Sequence, residues 1–347
     1  MRNRGIDLLR LVLMFMVCVL HTLGQGGVLN ACAEHSVGYY TFWFLEVFAF
    51  CAVDGFALIS GYTAKDKPQK YTKIVEMWFQ AFFYSFVVTI ILWAIGLGDG
   101  FEIKTLIKVT MPVTFGVFWY FTAYFALFFA IPILNRFLFG ADEITAKKAL
   151  IILVVLFSGL GVLYDPFKAQ AGYSAIWLMA LYCMGALAKR VRLFEERKTG
   201  TLLLAWLLSV VVTWAARVFL GVGRLTNYMS PTILLSAMIM VVVFSRMRLQ
   251  GTLVAKVAPL VFGVYLFQLN CVLWQHVLKD STAFVASLPL AKGILIVLAV
   301  SALIFVSGLI VEFVRVKLFS AVKIPRLSEK IVLLADRLLE KLFVFLK

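Results

Sequence analysis

Residues 5–24 read GIDLLRLVLMFMVCVLHTLG, an apolar run interrupted by Asp7, Arg10 and His21. A helix of about 20 residues crosses the hydrocarbon core of a bilayer, which is about 30 Å thick. Soluble helices are rarely apolar on every face. The stretch therefore predicts a membrane-spanning helix that carries ionisable side chains.

The rest of the chain repeats this pattern, and 63% of its 347 residues are hydrophobic. The longest polar connection between apolar runs is short, so no soluble domain is expected. We predict an all-α, polytopic membrane bundle of about ten transmembrane helices. The predicted spans cover residues 5–24, 39–61, 77–97, 113–137, 147–164, 172–190, 201–220, 229–245, 254–278 and 290–318.

The 33 Lys and Arg residues are concentrated in alternate connections between these spans. Cytoplasmic loops of membrane proteins carry an excess of Lys and Arg, so we place the basic connections and both termini in the cytoplasm. This orientation explains the net charge of +15 without nucleic acid. The basic connections hold Lys65, Lys67, Lys70 and Lys73; Arg136, Lys147 and Lys148; Lys189, Arg190, Arg192, Arg197 and Lys198; and Arg246, Arg248 and Lys256.

The C-terminal segment 326–347, RLSEKIVLLADRLLEKLFVFLK, differs from the spans. Its charged and apolar residues alternate at helical spacing, which is typical of a helix lying on a membrane surface. We expect a transmembrane domain at 1–320 and a cytoplasmic amphipathic helix at 321–347. A helix packed against the bundle is the alternative.

Ionisable groups inside spans are costly, so each is a candidate for function. Arg10 and His21 are eleven residues apart and project from one helix face, about 16 Å from each other. Counting along the antiparallel second span places Glu46 level with His21, and Asp54 level with Arg10. Gln268, in the ninth span, also reaches the level of His21. Two polar layers result, one near each membrane face.

The two layers have a functional and a structural interpretation. A deep cation such as Arg10 suits an anionic ligand, and an imidazole beside a carboxylate suits proton abstraction near neutral pH. Alternatively, Arg10 pairs with Asp7 or Asp54, and His21 is a hydrogen bond between helices. The cysteines show no metal-ligand spacing, and we expect no metal site.

Several motifs of the chain, in order, resemble the acyltransferase-3 family of membrane proteins over roughly residues 1–320. The family includes O-acetyltransferases of surface polysaccharides and peptidoglycan, and the membrane part of certain serine racemases. The resemblance is carried by RGIDLLR at 4–10 with His21, WFLE at 43–46, FALISGY at 56–62, FWYF at 118–121, IPILN at 131–135, NYMSPT at 227–232 and APLVFGVYL at 258–266.

The resemblance implies a bundle of ten helices that moves an acyl group, usually acetyl. It also implies a cytoplasmic acyl-CoA donor and a hydroxyl of an envelope carbohydrate as acceptor. The important Arg and His of the family's first helix correspond to Arg10 and His21. Two positions depart from the family: many members have His where this chain has Gln268, and many have arginines before the third helix where this chain has lysines. We expect the membrane module alone, without an esterase-like or racemase domain.

Together with the resemblance, the sequence predicts an integral membrane O-acyltransferase in the cell membrane, with acyl-CoA, in the form of acetyl-CoA, as donor substrate and no bound cofactor. The rival hypotheses are a small-molecule transporter and a non-catalytic envelope scaffold. Aromatic residues at the bilayer interface are an alternative explanation for Trp119 and Tyr120. The predicted site comprises His21, Glu46 and Arg10 for catalysis; Arg10, Lys65, Lys70 and Lys73 for the donor; and Trp119, Tyr120 and Gln268 for the acceptor.

Overall fold

A computed structural model describes residues 2–345, and within this range the chain is entirely α-helical, with no strand. Two short helices, Val28–Ala31 and Ile103–Thr110, lie in connections. The main helices are α1 (Arg4–Leu23), α2 (Val37–Tyr62), α3 (Thr72–Ala94), α4 (Trp119–Gly140), α5 (Glu143–Leu163), α6 (Ala175–Arg190), α7 (Thr199–Phe219), α8 (Pro231–Ser245), α9 (Leu253–Gln268), α10 (Leu273–Ser287), α11 (Leu290–Ala321) and α12 (Ile324–Phe345).

The all-α membrane bundle is confirmed, but its spans are less uniform than predicted. Among the described residues, 7 helices are long and apolar enough to cross a membrane, or 8 if α9 and α10 form one bent span. The predicted spans at 172–190 and 229–245 correspond to α6 and α8, which have 16 and 15 residues. A 15-residue helix is only about 22 Å long. Irregular backbone flanking such short helices is tolerated at membrane depth where protein surrounds it.

The centre of the bundle is formed by α1, which packs against α2, α8, α9 and α11. In the most apolar window of α1, 67% of the residues are buried, against 17% in α11. Asn3 caps α1, because its side chain accepts a hydrogen bond from the backbone N–H of Ile6 at 3.1 Å. A polar side chain on α1 therefore faces protein or an internal cavity.

The two helices α2 and α6 cross at their glycines. A Cβ atom on Gly61 would overlap the backbone carbonyl of Tyr182, and one on Gly185 would overlap that of Leu58. Small residues allow helix backbones in membranes to approach this closely. The Ser60-Gly61-Tyr62 motif thus marks a helix crossing, with Ser60 beside the cavity described below.

The chain bends by 75° between α9 and α10. Asn270, which is fully buried, stabilises this bend through hydrogen bonds of both its amide oxygen and its amide nitrogen. Its Oδ1 accepts from the backbone N–H groups of Val272 and Leu273, while its Nδ2 donates to the Tyr84 carbonyl and to Thr89 Oγ1. The predicted span 254–278 is therefore two half-helices, and their junction lies inside the protein.

A buried ion pair within α11 also accepts hydrogen bonds from α3. Glu312 receives two hydrogen bonds from Arg315, at 2.6 and 2.9 Å. The same carboxylate accepts from Gln80 Nε2 at 3.1 Å and from Tyr84 Oη at 2.9 Å. Gln80 and Tyr84 share one face of α3, so this face turns toward α11.

The last helix, α12, packs against the first half of α3. Ser328 is buried in this contact, whereas Leu334 and Leu338 are each 58% exposed. The predicted helix 326–347 is thus present as Ile324–Phe345, and residues 346–347 lie outside the described residues. One side of α12 contacts the bundle, as in the predicted alternative of a packed helix. An apolar side of the same helix remains uncovered.

Candidate functional site

A cavity of about 700 Å³ runs through the bundle along α1. Volumes of roughly 300–1,000 Å³ are usual for small-molecule sites. Its walls come from α1, α2, α4 and α9, with single contributions from α3 and α10. The lining residues with polar atoms in their side chains are Arg2, Arg10, His21, Gln25, Glu46, Ser60, Trp119, Tyr120, Tyr124, Tyr173, Tyr228, Tyr265 and Trp274.

The cavity follows one stripe of α1. Arg10, Met14, Val17 and His21 all line it, at spacings of three or four residues that repeat on one helix face. The predicted common face of Arg10 and His21 is therefore present. Because α1 rises about 1.5 Å per residue, the two side chains are separated by about 16 Å along the cavity.

At the Arg10 end of the cavity, two guanidinium groups share one carboxylate. Asp7 is fully buried and accepts from Arg10 Nη1 at 2.7 Å and from Arg2 Nε at 2.6 Å. The predicted alternative of an Arg10–Asp7 pair is thus formed. Two cations against one anion leave an excess positive charge at this end of the cavity. Arg2, which sequence reasoning did not single out, is part of the group.

At the opposite end of the cavity, the imidazole of His21 contacts both half-helices of the broken span. Its Nδ1 lies 3.0 Å from Gln268 Oε1 on α9, and the Trp274 ring on α10 meets it edge-on, with centroids 4.9 Å apart. Gln268 Nε2 donates to Met14 Sδ, which directs the amide oxygen toward His21. An acceptor at Nδ1 keeps the proton on that nitrogen and leaves Nε2 as the basic nitrogen.

Glu46 also lines the cavity, and counting along α2 places it in the half that contains His21. It is only 9% exposed, and its Oε2 has no hydrogen-bond partner among residues 2–345. The expected hydrogen bond between Glu46 and His21 is not formed within this range, because Gln268 takes the position beside Nδ1. A buried carboxylate oxygen without a donor is available to a ligand.

An aromatic wall lines the same half of the cavity. The rings of Trp119 and Tyr228 are stacked with an interplanar angle of 20°, and Tyr173 contacts both, with centroids 4.6 and 5.0 Å away. Trp119 and Tyr120 were predicted from the start of the fourth span. Tyr173 and Tyr228 lie in the connections before α6 and α8 and were not predicted for the site, although Tyr173 falls within the predicted span 172–190 and Tyr228 within the NYMSPT motif at 227–232.

Some predicted site residues lie outside the cavity lining. Gln268 is behind the imidazole, and its amide contacts His21 and Met14. Asp54, the alternative partner considered for Arg10, forms no ion pair with it among the described residues and accepts from Trp177 Nε1 on α6 at 3.0 Å. The three lysines predicted for the donor, Lys65, Lys70 and Lys73, are exposed. Lys73 is one turn before Met77, which lines the cavity.

Comparison with known proteins gives one match over most of the chain. A family model described as an acyltransferase domain matches residues 3–312, nearly nine-tenths of the 347 residues. No curated protein and no solved structure matches the chain.

Proposed function

The chain belongs to the membrane acyltransferase family whose domain it matches, and we propose that it moves an acyl group, acetyl in the first instance, from cytoplasmic acyl-CoA to a hydroxyl of an envelope carbohydrate. The observation that carries the proposal is the single cavity with a basic group at one end and a hydrogen-bonded imidazole at the other. The donor binds through its phosphates at the Arg10 end. Its long pantetheine arm then extends toward His21.

In the proposed reaction, His21 Nε2 takes the proton of the acceptor hydroxyl as its oxygen attacks the thioester carbonyl carbon. The carbon–sulfur bond breaks, and the CoA thiolate leaves and takes up a proton from the imidazolium. Gln268 holds the ring through Nδ1, and Glu46 accepts a hydrogen bond from the acceptor. Trp119, Tyr120 and the aromatic wall provide the surface on which a sugar ring packs.

At the inner mouth, we propose that Lys65, Lys70 and Lys73 attract the CoA phosphates and that Arg10 holds them. Arg10 retains N–H donors beyond the one it gives to Asp7, and a guanidinium binds a phosphate oxygen pair through its planar fork. The position of Lys73, one turn from the cavity wall, supports this arrangement. The exposed lysines contribute as point charges rather than as specific contacts.

The direct test is acyl transfer by the purified protein in vesicles, with labelled acetyl-CoA supplied on the Arg10 side. We expect loss of label from CoA and its appearance in a carbohydrate acceptor, with His21→Ala as the matched control. Transport of a labelled solute without cleavage of acetyl-CoA would instead favour a transporter. One observation favours that second candidate: broken helices such as α9 and α10 commonly surround the sites of carriers.

We also propose that residues 1–320 form the transmembrane domain, that α12 lies on the cytoplasmic membrane face, and that both termini are cytoplasmic. The basic connections and the uncovered apolar side of α12 support this orientation. A membrane-impermeant thiol reagent should label Cys32 from outside. A cysteine replacing Lys67 should be labelled only after permeabilisation, and the reverse pattern would exclude the proposed topology.

A further inference from the structure

Outside the cavity, an arginine and a tryptophan form a stacked pair at the outer end of α7. The Arg217 guanidinium carbon lies 4.2 Å from the centre of the Trp43 ring on α2. The contact is held in place by neighbouring side chains. Trp214 Nε1 donates to the Tyr40 carbonyl at 2.8 Å, and Phe219 stacks on Tyr40.

Both members of the pair keep a buried hydrogen-bond donor without an acceptor. Arg217 Nε and Trp43 Nε1 have no partner within residues 2–345, and no carboxylate in that range forms an ion pair with Arg217. The last turn of a helix and the face of an indole both attract a cation. Neither supplies an acceptor for these two N–H groups, and buried donors are normally hydrogen-bonded.

We propose that Arg217 and Trp43 bind a phosphate group carried by the acyl acceptor. The two unpartnered donors come from different helices, and the guanidinium carries further N–H groups. A tetrahedral anion with several terminal oxygens accepts from such a set, and arginine is well suited to phosphate. The counter-charge that the protein does not provide is thereby supplied by the ligand.

The position of the pair relative to the cavity connects it to the acceptor. Trp43 precedes Glu46 by three residues and Phe50 by seven, and both of these line the cavity. The pair therefore lies about one helix turn, roughly 5 Å, beyond Glu46 along α2. A phosphate held there leaves the attached sugar beside Glu46 and His21. The assignment to the acceptor rests on the proposed function, whereas the phosphate site itself does not.

Phosphate binding is testable without transfer activity. The full-length protein, labelled with 5-fluorotryptophan in a maltoside detergent that lacks phosphate, gives a fluorine resonance for Trp43 that is identified by its loss in Trp43→Phe. We expect a saturable shift of this resonance on adding inorganic phosphate. Arg217→Gln should weaken the apparent affinity at least tenfold, and Arg217→Lys several-fold. Arg224→Gln is the control, because Arg224 is exposed and already donates to the Leu163 carbonyl.

A second arm identifies the source of the phosphate. A shift with phosphatidylglycerol but not with inorganic phosphate would assign the site to a membrane lipid and overturn its assignment to the acceptor. No shift with either probe, or an equal shift in Arg217→Gln, would reduce the pair to a packing contact. Thermal unfolding of Arg217→Lys, which retains the charge but not the planar group, separates loss of binding from loss of fold.

Transfer kinetics then link the site to the reaction. If the phosphate belongs to the acceptor, Arg217→Gln should raise the KM for the acceptor about tenfold and leave the KM for acyl-CoA unchanged. An unchanged acceptor KM would remove Arg217 from acceptor binding. Phosphate binding in a protein that transfers no acyl group would refute the proposed function and retain the site.

Discussion

Replacing Gln268 with Leu tests whether the hydrogen bond from the broken span orients the imidazole of His21. The variant removes the acceptor at 3.0 Å from Nδ1 and keeps a side chain of similar volume. Gln268 is only 3% exposed, so water has little access to replace the lost bond. We expect slower acyl transfer with the KM for acyl-CoA unchanged, because the proposed binding site of the donor phosphates is at the opposite end of the cavity.

The size of the effect follows from the single hydrogen bond removed. Leaving a buried donor unpaired costs about 1–3 kcal/mol, which corresponds to a rate loss of about 5- to 150-fold. Gln268→Glu keeps an oxygen acceptor for Nδ1–H and should retain most of the activity. The measurement is the turnover of labelled acetyl-CoA in vesicles, alongside thermal unfolding in detergent.

Two results would refute the reasoning. Turnover of Gln268→Leu at the wild-type rate would show that other contacts orient the imidazole. Equal losses of activity and thermal stability would assign Gln268 to helix packing rather than to the reaction.

Other substitutions test the remaining groups. His21→Ala should reduce transfer by about two to four orders of magnitude in a folded protein, and near-normal turnover would remove it from the mechanism. Arg10→Lys should raise the KM for acyl-CoA because an ammonium lacks the planar fork, whereas an unchanged KM would make Arg10 a counter-ion of Asp7. Glu46→Gln should weaken acceptor binding about tenfold, as loss of a charge-assisted bond predicts, without changing donor binding. Arg315→Ala should destabilise the protein by about 3–5 kcal/mol in detergent unfolding, because it leaves the charge of Glu312 buried without a counter-ion. The double variant Arg315→Ala/Glu312→Gln should recover part of this loss.

The sequence predicted which ionisable side chains line the cavity better than it predicted how the surrounding helices are packed. The eleven-residue spacing of Arg10 and His21 is a local property of one helix, and so it survives any packing arrangement. The level of Glu46 follows equally from counting along an antiparallel helix. The side on which a side chain lies depends on the rotation of the helix about its axis, which hydropathy does not specify. Asp54 therefore accepts from Trp177 rather than pairing with Arg10.

The break between α9 and α10 could not be read from composition, because residues 254–278 are continuously apolar apart from a few polar side chains. Asn270 is the one local signal, since its amide satisfies the backbone groups that the bend releases. The Glu312–Arg315 pair was also missed. Its charges lie near the end of a long span, where an aqueous or interfacial position would look the same in the sequence.

The short helix α8 has a consequence for the biosynthesis of the protein. Its 15 residues span less than the bilayer core, and most of them are buried by neighbouring helices. A nascent chain that released α8 alone into lipid would expose unsatisfied backbone at its ends. Its insertion therefore depends on the earlier helices α1, α2 and α7, which must remain near the translocon until α8 is in place. An internal deletion within one of those earlier helices, in a chain that still contains α8, should expose the nascent protein to membrane quality-control proteases.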